Sequence, residues 1–130
     1  MSAKVSSVLI VDDDEALAQV VALTLRSAGF EVCTAHDGVQ GYVTYLRYPT
    51  DWVLSDIQMP KLNGLGMMRR IRAINPGVQT LYMSGAVDQF RAVLDHESAQ
   101  FGAKCLRKPF ARTQLIELLT GCRENLAHAR

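Results

Sequence analysis

Val8-Leu9-Ile10-Val11-Asp12-Asp13-Asp14-Glu15 runs four apolar residues straight into four acidic ones. The apolar half reads as a buried strand, since short continuous Val/Ile/Leu runs suit a parallel sheet. The acidic half has two readings. Asp14 and Glu15 suit a helix N-terminus, where carboxylates accept from free amides and favour the dipole, so the cluster alone reads best as a solvated cap. Recurrence favours a cation site instead: a second run, Trp52-Val53-Leu54-Ser55, ends in Asp56. A parallel sheet brings two such strand ends together, and like charges that close require a metal ion or a proton.

Working outward, five short runs read as strands: Val8 to Val11, Glu31 to Ala35, Trp52 to Ser55, Gln79 to Met83, and Lys104 to Arg107. Helical patterns separate them. Leu17, Val20, Val21, Thr24 and Ala28 form a stripe that stops at Gly29. Gly38 to Tyr48 places Val39, Tyr42, Tyr45 and Leu46 on one side and ends before Pro49. Leu65, Met68, Ile71 and Ile74 give a third helix, closed by Asn75-Pro76-Gly77. Phe90, Val93 and Leu94 give a fourth that ends before Gly102, and Leu115, Leu118, Leu119, Cys122 and Leu126 give a fifth.

Strands alternating with helices imply right-handed crossovers and a parallel sheet covered on both faces. With five strands the expected fold is α/β and doubly wound, order 2-1-3-4-5, the flavodoxin-like arrangement. Strands one and three are then neighbours at the topological switch point, where ligands bind beyond the carboxyl ends. Asp12, Asp13 and Asp56 are expected to converge there.

Composition narrows the class. A chain of 130 residues with 48% hydrophobic content fits one domain with a full core. Net charge is +1 and the basic residues are dispersed, apart from Arg69, Arg70 and Arg72, which read as a solvated helical face rather than a nucleic-acid footprint. Cys33, Cys105 and Cys122 are odd in number, widely spaced and without a CxxC pair, which reads as buried free thiols in a reducing cytosol. Met1 to Ser7 lacks a signal core, and no apolar run approaches the about 20 residues that span a bilayer. The expectation is a cytoplasmic, soluble protein. His36, His96 and His128 lack metal-ligand spacing.

Strands four and five end in Ser84, within Leu81-Tyr82-Met83-Ser84-Gly85-Ala86, and Lys108, within Leu106-Arg107-Lys108-Pro109-Phe110. Taken singly, these read as a loop hydroxyl and a surface lysine. One hydroxyl, one ammonium and three carboxylates at neighbouring strand ends constitute a phosphoryl-transfer site with Asp56 as nucleophile. In this order the residues resemble the receiver domain of two-component response regulators, through VLIVDDDE, VLSDIQMPKLNG, LYMSGA and CLRKPF. The resemblance runs from about Val5 to Leu126 and implies a single receiver domain over 1–130, with no output domain in the chain.

The resemblance implies that Asp56 accepts a phosphoryl group from a sensor histidine kinase or a histidine phosphotransfer protein. It implies Mg²⁺ or Mn²⁺ on Asp12, Asp13 and Asp56, with the backbone carbonyl of Gln58 as a further ligand. A hard divalent ion would neutralise the acidic cluster and bridge phosphoryl oxygens. Lys108 would pair with one phosphoryl oxygen and Ser84 would hydrogen-bond another. Gly85 would let the backbone approach the phosphoryl group, and the Lys108-Pro109 bond would be cis. The surface of helix four, strand five and helix five would then switch for a downstream protein or a second copy of the chain. No direct nucleic-acid or membrane partner is implied.

The chain departs from the family at strand five, where receivers usually carry Tyr or Phe three residues before the lysine. Here that residue is Cys105. Tyr82, on the same strand face as Ser84, is expected to fill part of the freed space and to report movement of Ser84. Gln58 and Ala86 flank the path of a hydrolytic water, and the segment from Asp88 to Gly102 is slightly long for the family.

Two rival functions come from other classes. A metal-dependent phosphohydrolase with an aspartyl nucleophile would use the same groups, but it needs a general acid and an enclosing cap. Gln58 stands where a second carboxylate would serve. A flavin carrier of the same fold would present hydroxyls and glycines to its phosphate, whereas Asp12-Asp13-Asp14 would repel one.

Overall fold

The computed structural model describes residues 5–121. Strands β1 (Ser7–Val11), β2 (Glu31–Ala35), β3 (Trp52–Asp56), β4 (Gln79–Ser84) and β5 (Lys104–Arg107) form one parallel sheet in the order β2-β1-β3-β4-β5. Helices α1 (Glu15–Ser27), α2 (Gly38–Arg47), α3 (Gly64–Ile74), α4 (Arg91–Phe101) and α5 (Arg112–Thr120) make the crossovers. This is the expected doubly wound α/β fold in the expected order. The expected strands are met to within about one residue, with β3 and β4 running on to include Asp56 and Ser84. Among the described residues no helix is long and apolar enough to cross a membrane. The Cys122, Leu126 and His128 readings lie outside them.

Period-two alternation divides the core. Val8, Ile10, Leu54, Leu81 and Met83 face α1 and α5, whereas Leu9, Val11, Val53 and Tyr82 face α2, α3 and α4. Both sheet faces are buried, which is why the strands read as near-continuous apolar runs. Burying one such side chain contributes roughly 1.5–3 kcal/mol, so two covered faces supply most of the driving force.

The helices turn other faces inward than the expected stripes. In α1 the buried residues are Ala18, Val21, Ala22 and Leu25, and Val20 is exposed. Two alanines let the helix sit close to the sheet and rotate the stripe by one position. In α2 Gly38, Gly41 and Tyr45 face inward, while Val39 and Leu46 are exposed. A Cβ on Gly41 would stand 2.6 Å from Met67 Sδ and 2.9 Å from Val11 Cγ2, so close approach rather than apolarity selects that face. In α3 Ile74 is exposed and Arg72 is buried, which corrects the solvated face expected for Arg72. Arg69 and Arg70 are exposed as expected. Cys33 and Cys105 are free but only half-buried.

Helix ends follow their side chains. Asp14, Asp37 and Asn63 cap α1, α2 and α3 by accepting from Leu17, Gln40 and Gly66 backbone amides. Gly29 takes the left-handed conformation after α1, at φ +97°. The Asp88 to Gly102 segment divides into a 3-10 turn at Val87–Phe90 and α4.

Candidate functional site

The β1–β3 register pairs Val11 with Ser55, so Asp12 and Asp56 come next on adjacent strands at the switch point. Carboxylate oxygens of Asp12, Asp13 and Asp56 lie within 4.8 Å of one another. Asp12 is buried at 1% exposure, Asp13 is exposed and Asp56 lies between. Asp14 is apart from the cluster, as the α1 cap, and its N–H donates to Asp12 Oδ1 at 2.9 Å. The cap reading of the acidic run is thus met by Asp14, and Asp12 and Asp13 converge with Asp56 in a group that could hold a cation.

Lys108 closes the site from the far side of the sheet. Its Nζ lies 2.7 Å from Asp12 Oδ2 and 3.1 Å from Asp56 Oδ2. Burial alone would lower its pKa, but the hydrogen bonds to the two carboxylates outweigh it and hold the ammonium above its ordinary value. Burial pushes the Asp56 carboxyl up, more than Lys108 beside it pulls it down. Three carboxylates against one ammonium leave an excess of two negative charges, which one divalent cation would balance. An all-oxygen donor set of this kind fits Mg²⁺ or Mn²⁺.

Ser84 is buried at 2% exposure and its Oγ accepts from the Ala86 N–H at 2.9 Å. The Lys108 N–H donates to the Ser84 carbonyl at 2.9 Å, which ties the ends of β4 and β5 together. The Lys108–Pro109 bond is cis. Gln58 is exposed, and its N–H donates to Asp56 Oδ1 at 3.3 Å. Apart from its own chain neighbours, no protein atom lies within 4 Å of where a Cβ on Gly85 would stand, so packing within the protein does not require glycine there.

Two features escaped sequence reading. A Cβ on Gly64 would overlap the Asp56 carbonyl oxygen and stand 2.7 Å from Ser55 Oγ, so α3 starts in contact with the end of β3. The second is a buried ion pair behind the site, Arg72 Nη2 to Glu97 Oε1 at 2.7 Å. Its signal lay in spacing: Arg72 is four residues after Met68, and Glu97 three after Leu94, each on the inward arc. Tyr82 is the cross-strand neighbour of Cys105, and both line an open pocket of about 190 Å³ together with Leu94, Asp95, Ser98, Ala103 and Lys104.

A doubly wound sheet with carboxylates at the β1/β3 switch point and a lysine beyond β5 defines a phosphoacceptor domain of two-component signalling. The chain belongs to the response regulator receiver domain family, whose model matches residues 8–120. It is 32% identical over 109 residues to the DNA-binding response regulator MtrA of Mycobacterium tuberculosis, covering 84% of this chain and 46% of that one. It is 30% identical to the transcriptional regulatory protein GlrR of Escherichia coli, over 99% of this chain and 29% of that protein. The chain thus spans half or less of the length of these relatives.

Among solved structures, the Vibrio cholerae chemotaxis protein CheY4 superposes with a TM-score of 0.80 at 28% identity, over 91% of this chain and 98% of that one. The receiver domain of the sensor histidine kinase PA1611 from Pseudomonas aeruginosa, which holds a magnesium ion in its active site cleft, superposes at 0.77 with 30% identity, over 91% and 97%. These matches favour the receiver reading over both the phosphohydrolase and the flavin carrier.

Proposed function

We propose that Asp56 is the phosphoacceptor of this receiver and takes its phosphoryl group from a histidine kinase or a histidine phosphotransfer protein. The observation that carries this is the bridge from Lys108 to Asp12 and Asp56, a cation held between two carboxylates at the switch point. Asp12, Asp13 and Asp56, with the Gln58 carbonyl, would hold Mg²⁺ or Mn²⁺. A bound ion would supply charge neutralisation for the incoming phosphoryl oxygens.

The protein's own groups do the rest. Asp56 Oδ attacks phosphorus in line with the donor's histidine nitrogen, so that the P–N bond breaks as the P–O bond forms. Its raised pKa marks a carboxylate that burial leaves poorly solvated. Lys108 leaves the two carboxylates to pair with a phosphoryl oxygen, and Ser84, with its O–H free to donate, takes another. The domain thus promotes only its own phosphorylation and dephosphorylation. Output passes through the surface of α4, β5 and α5 to a downstream protein or a second copy of the chain.

The test is site mapping. Protein treated with acetyl phosphate and Mg²⁺, then reduced with borohydride and digested, should carry the modification on the peptide containing Asp56. Modification mapped to Asp12 or Asp13 would overturn the assignment.

A further inference from the structure

Away from the carboxylate cleft, α3 and α4 do not close on each other. On α3, Leu65, Arg69 and Arg72 recur at steps of four and three and share one side of the helix. On α4, Val93, Glu97 and Phe101 recur at steps of four and do the same. Between these two sides lies a groove of about 420 Å³. Packed interiors hold few voids larger than a water molecule, whereas this volume is that of a small-ligand site.

The lining combines apolar surface with one uncompensated charge. The buried Arg72 and Glu97 pair at 2.7 Å and cancel each other. Leu65, Val93 and Phe101 supply the apolar surface. The Arg72 guanidinium lies 4.0 Å from the centroid of the Phe101 ring and covers one face of it, yet Phe101 is still 52% exposed. Arg69 and His96 complete the polar lining, both exposed, and neither side chain has a hydrogen-bond or ion-pair partner among the described residues. Glu97 is the one carboxylate in the lining, so Arg69 leaves the groove with a net positive charge. The lining is also one acceptor short, since Arg72 Nε is buried without a partner. An exposed arginine without a partner is ordinary by itself. What sets Arg69 apart is its place at an apolar groove beside a half-covered aromatic ring.

We propose that the groove between α3 and α4 binds a small aromatic carboxylate, with its ring against Phe101, Leu65 and Val93 and its acid paired with Arg69. One anionic group matches the one uncompensated charge. A planar guanidinium takes a carboxylate through two parallel N–H···O bonds. Phe101 meets the ligand's ring edge-on or offset, the arrangements aromatic pairs prefer. His96 adds a ring N–H for a second polar group. None of these residues belongs to the Asp56 cleft, so the site stands whether or not Asp56 is the phosphoacceptor.

Phenylacetate, titrated into the isotopically labelled full chain and followed by backbone amide shifts, tests this. The shifts should saturate, in the millimolar range expected of so small a ligand, and concentrate in 65–73 and 93–101. Phenylacetamide keeps the ring and loses the charge, and it should bind at least about threefold more weakly. Arg69→Gln, at an exposed position, should weaken phenylacetate by the same factor and leave phenylacetamide unchanged, a split that a structural defect would not produce. Phe101→Leu should weaken both probes. Shifts that never saturate, or that centre on the apolar gap between α1 and α5 lined by Val20 and Phe110, would overturn the proposal. So would equal binding of the two probes, or an Arg69→Gln chain that binds phenylacetate as the parent does.

Discussion

Lys108 and Asp12 are 96 residues apart in the chain and 2.7 Å apart in space. The contact spans the sheet from β5 to β1, over β4 and β3, and it exists because the ends of β1, β3 and β5 deliver Asp12, Asp56 and Lys108 to one cleft. Lys108 is the counter-ion of Asp12 and Asp56 in this structure.

That gives a sign to the effect of removing it. In Lys108→Met, Asp12 and Asp56 lose their resident cation and face each other across the cleft. Calorimetry should find Mg²⁺ bound several-fold more tightly than by the parent, while labelling by acetyl phosphate slows. Weaker Mg²⁺ binding in a folded variant would mean that the ammonium does not compete with the ion.

Asp13 is the exposed member of the carboxylate group. Asp13→Ala should therefore fold normally and still bind Mg²⁺ or Mn²⁺ at least about tenfold more weakly, the cost of roughly 1.4 kcal/mol for a lost charged ligand. Equal affinity would remove Asp13 from the ligand set.

The raised pKa of Asp56 makes its charge a cost in the metal-free protein. A carboxyl raised in the folded state binds its proton more tightly there than when unfolded. Stability therefore falls as pH rises from the ordinary carboxylate value of 3.8 through the raised one, and the cost is fully present above it. Asp56→Asn should melt higher than the parent at neutral pH without metal, by roughly a few degrees. The difference should vanish below the ordinary value. A variant that melts lower at neutral pH would contradict the sign.

Two glycines separate packing from chemistry. Gly64→Ala forces a methyl into the Asp56 carbonyl oxygen and should cost about 1–3 kcal/mol, with loss of metal binding. Gly85→Ala meets no atom within 4 Å beyond its chain neighbours and should leave stability within about 0.5 kcal/mol while slowing phosphorylation. Unchanged phosphorylation in Gly85→Ala would return Gly85 to an ordinary loop position.

The sheet was legible because short continuous apolar runs leading into Asp12, Asp56, Ser84 and Lys108, with helical patterns between them, leave few topologies to consider. Helix faces were less so. Val20 and Leu46 look like core and are exposed, whereas Gly41 and Ala22 are what the sheet touches. Close approach selects small residues, and apolar periodicity does not record it. Arg72 and Glu97 were hidden for a different reason: a charge is ordinarily read as solvent-facing, and only the partner, 25 residues away, explains its burial.

The central claim is that Asp56 alone accepts the phosphoryl group, and intact-mass measurement after treatment with acetyl phosphate and Mg²⁺ tests it most directly. The parent should gain one phosphoryl group and Asp56→Asn none, with the variant's fold confirmed by its melting curve. A folded Asp56→Asn that gains the same mass as the parent would contradict the account.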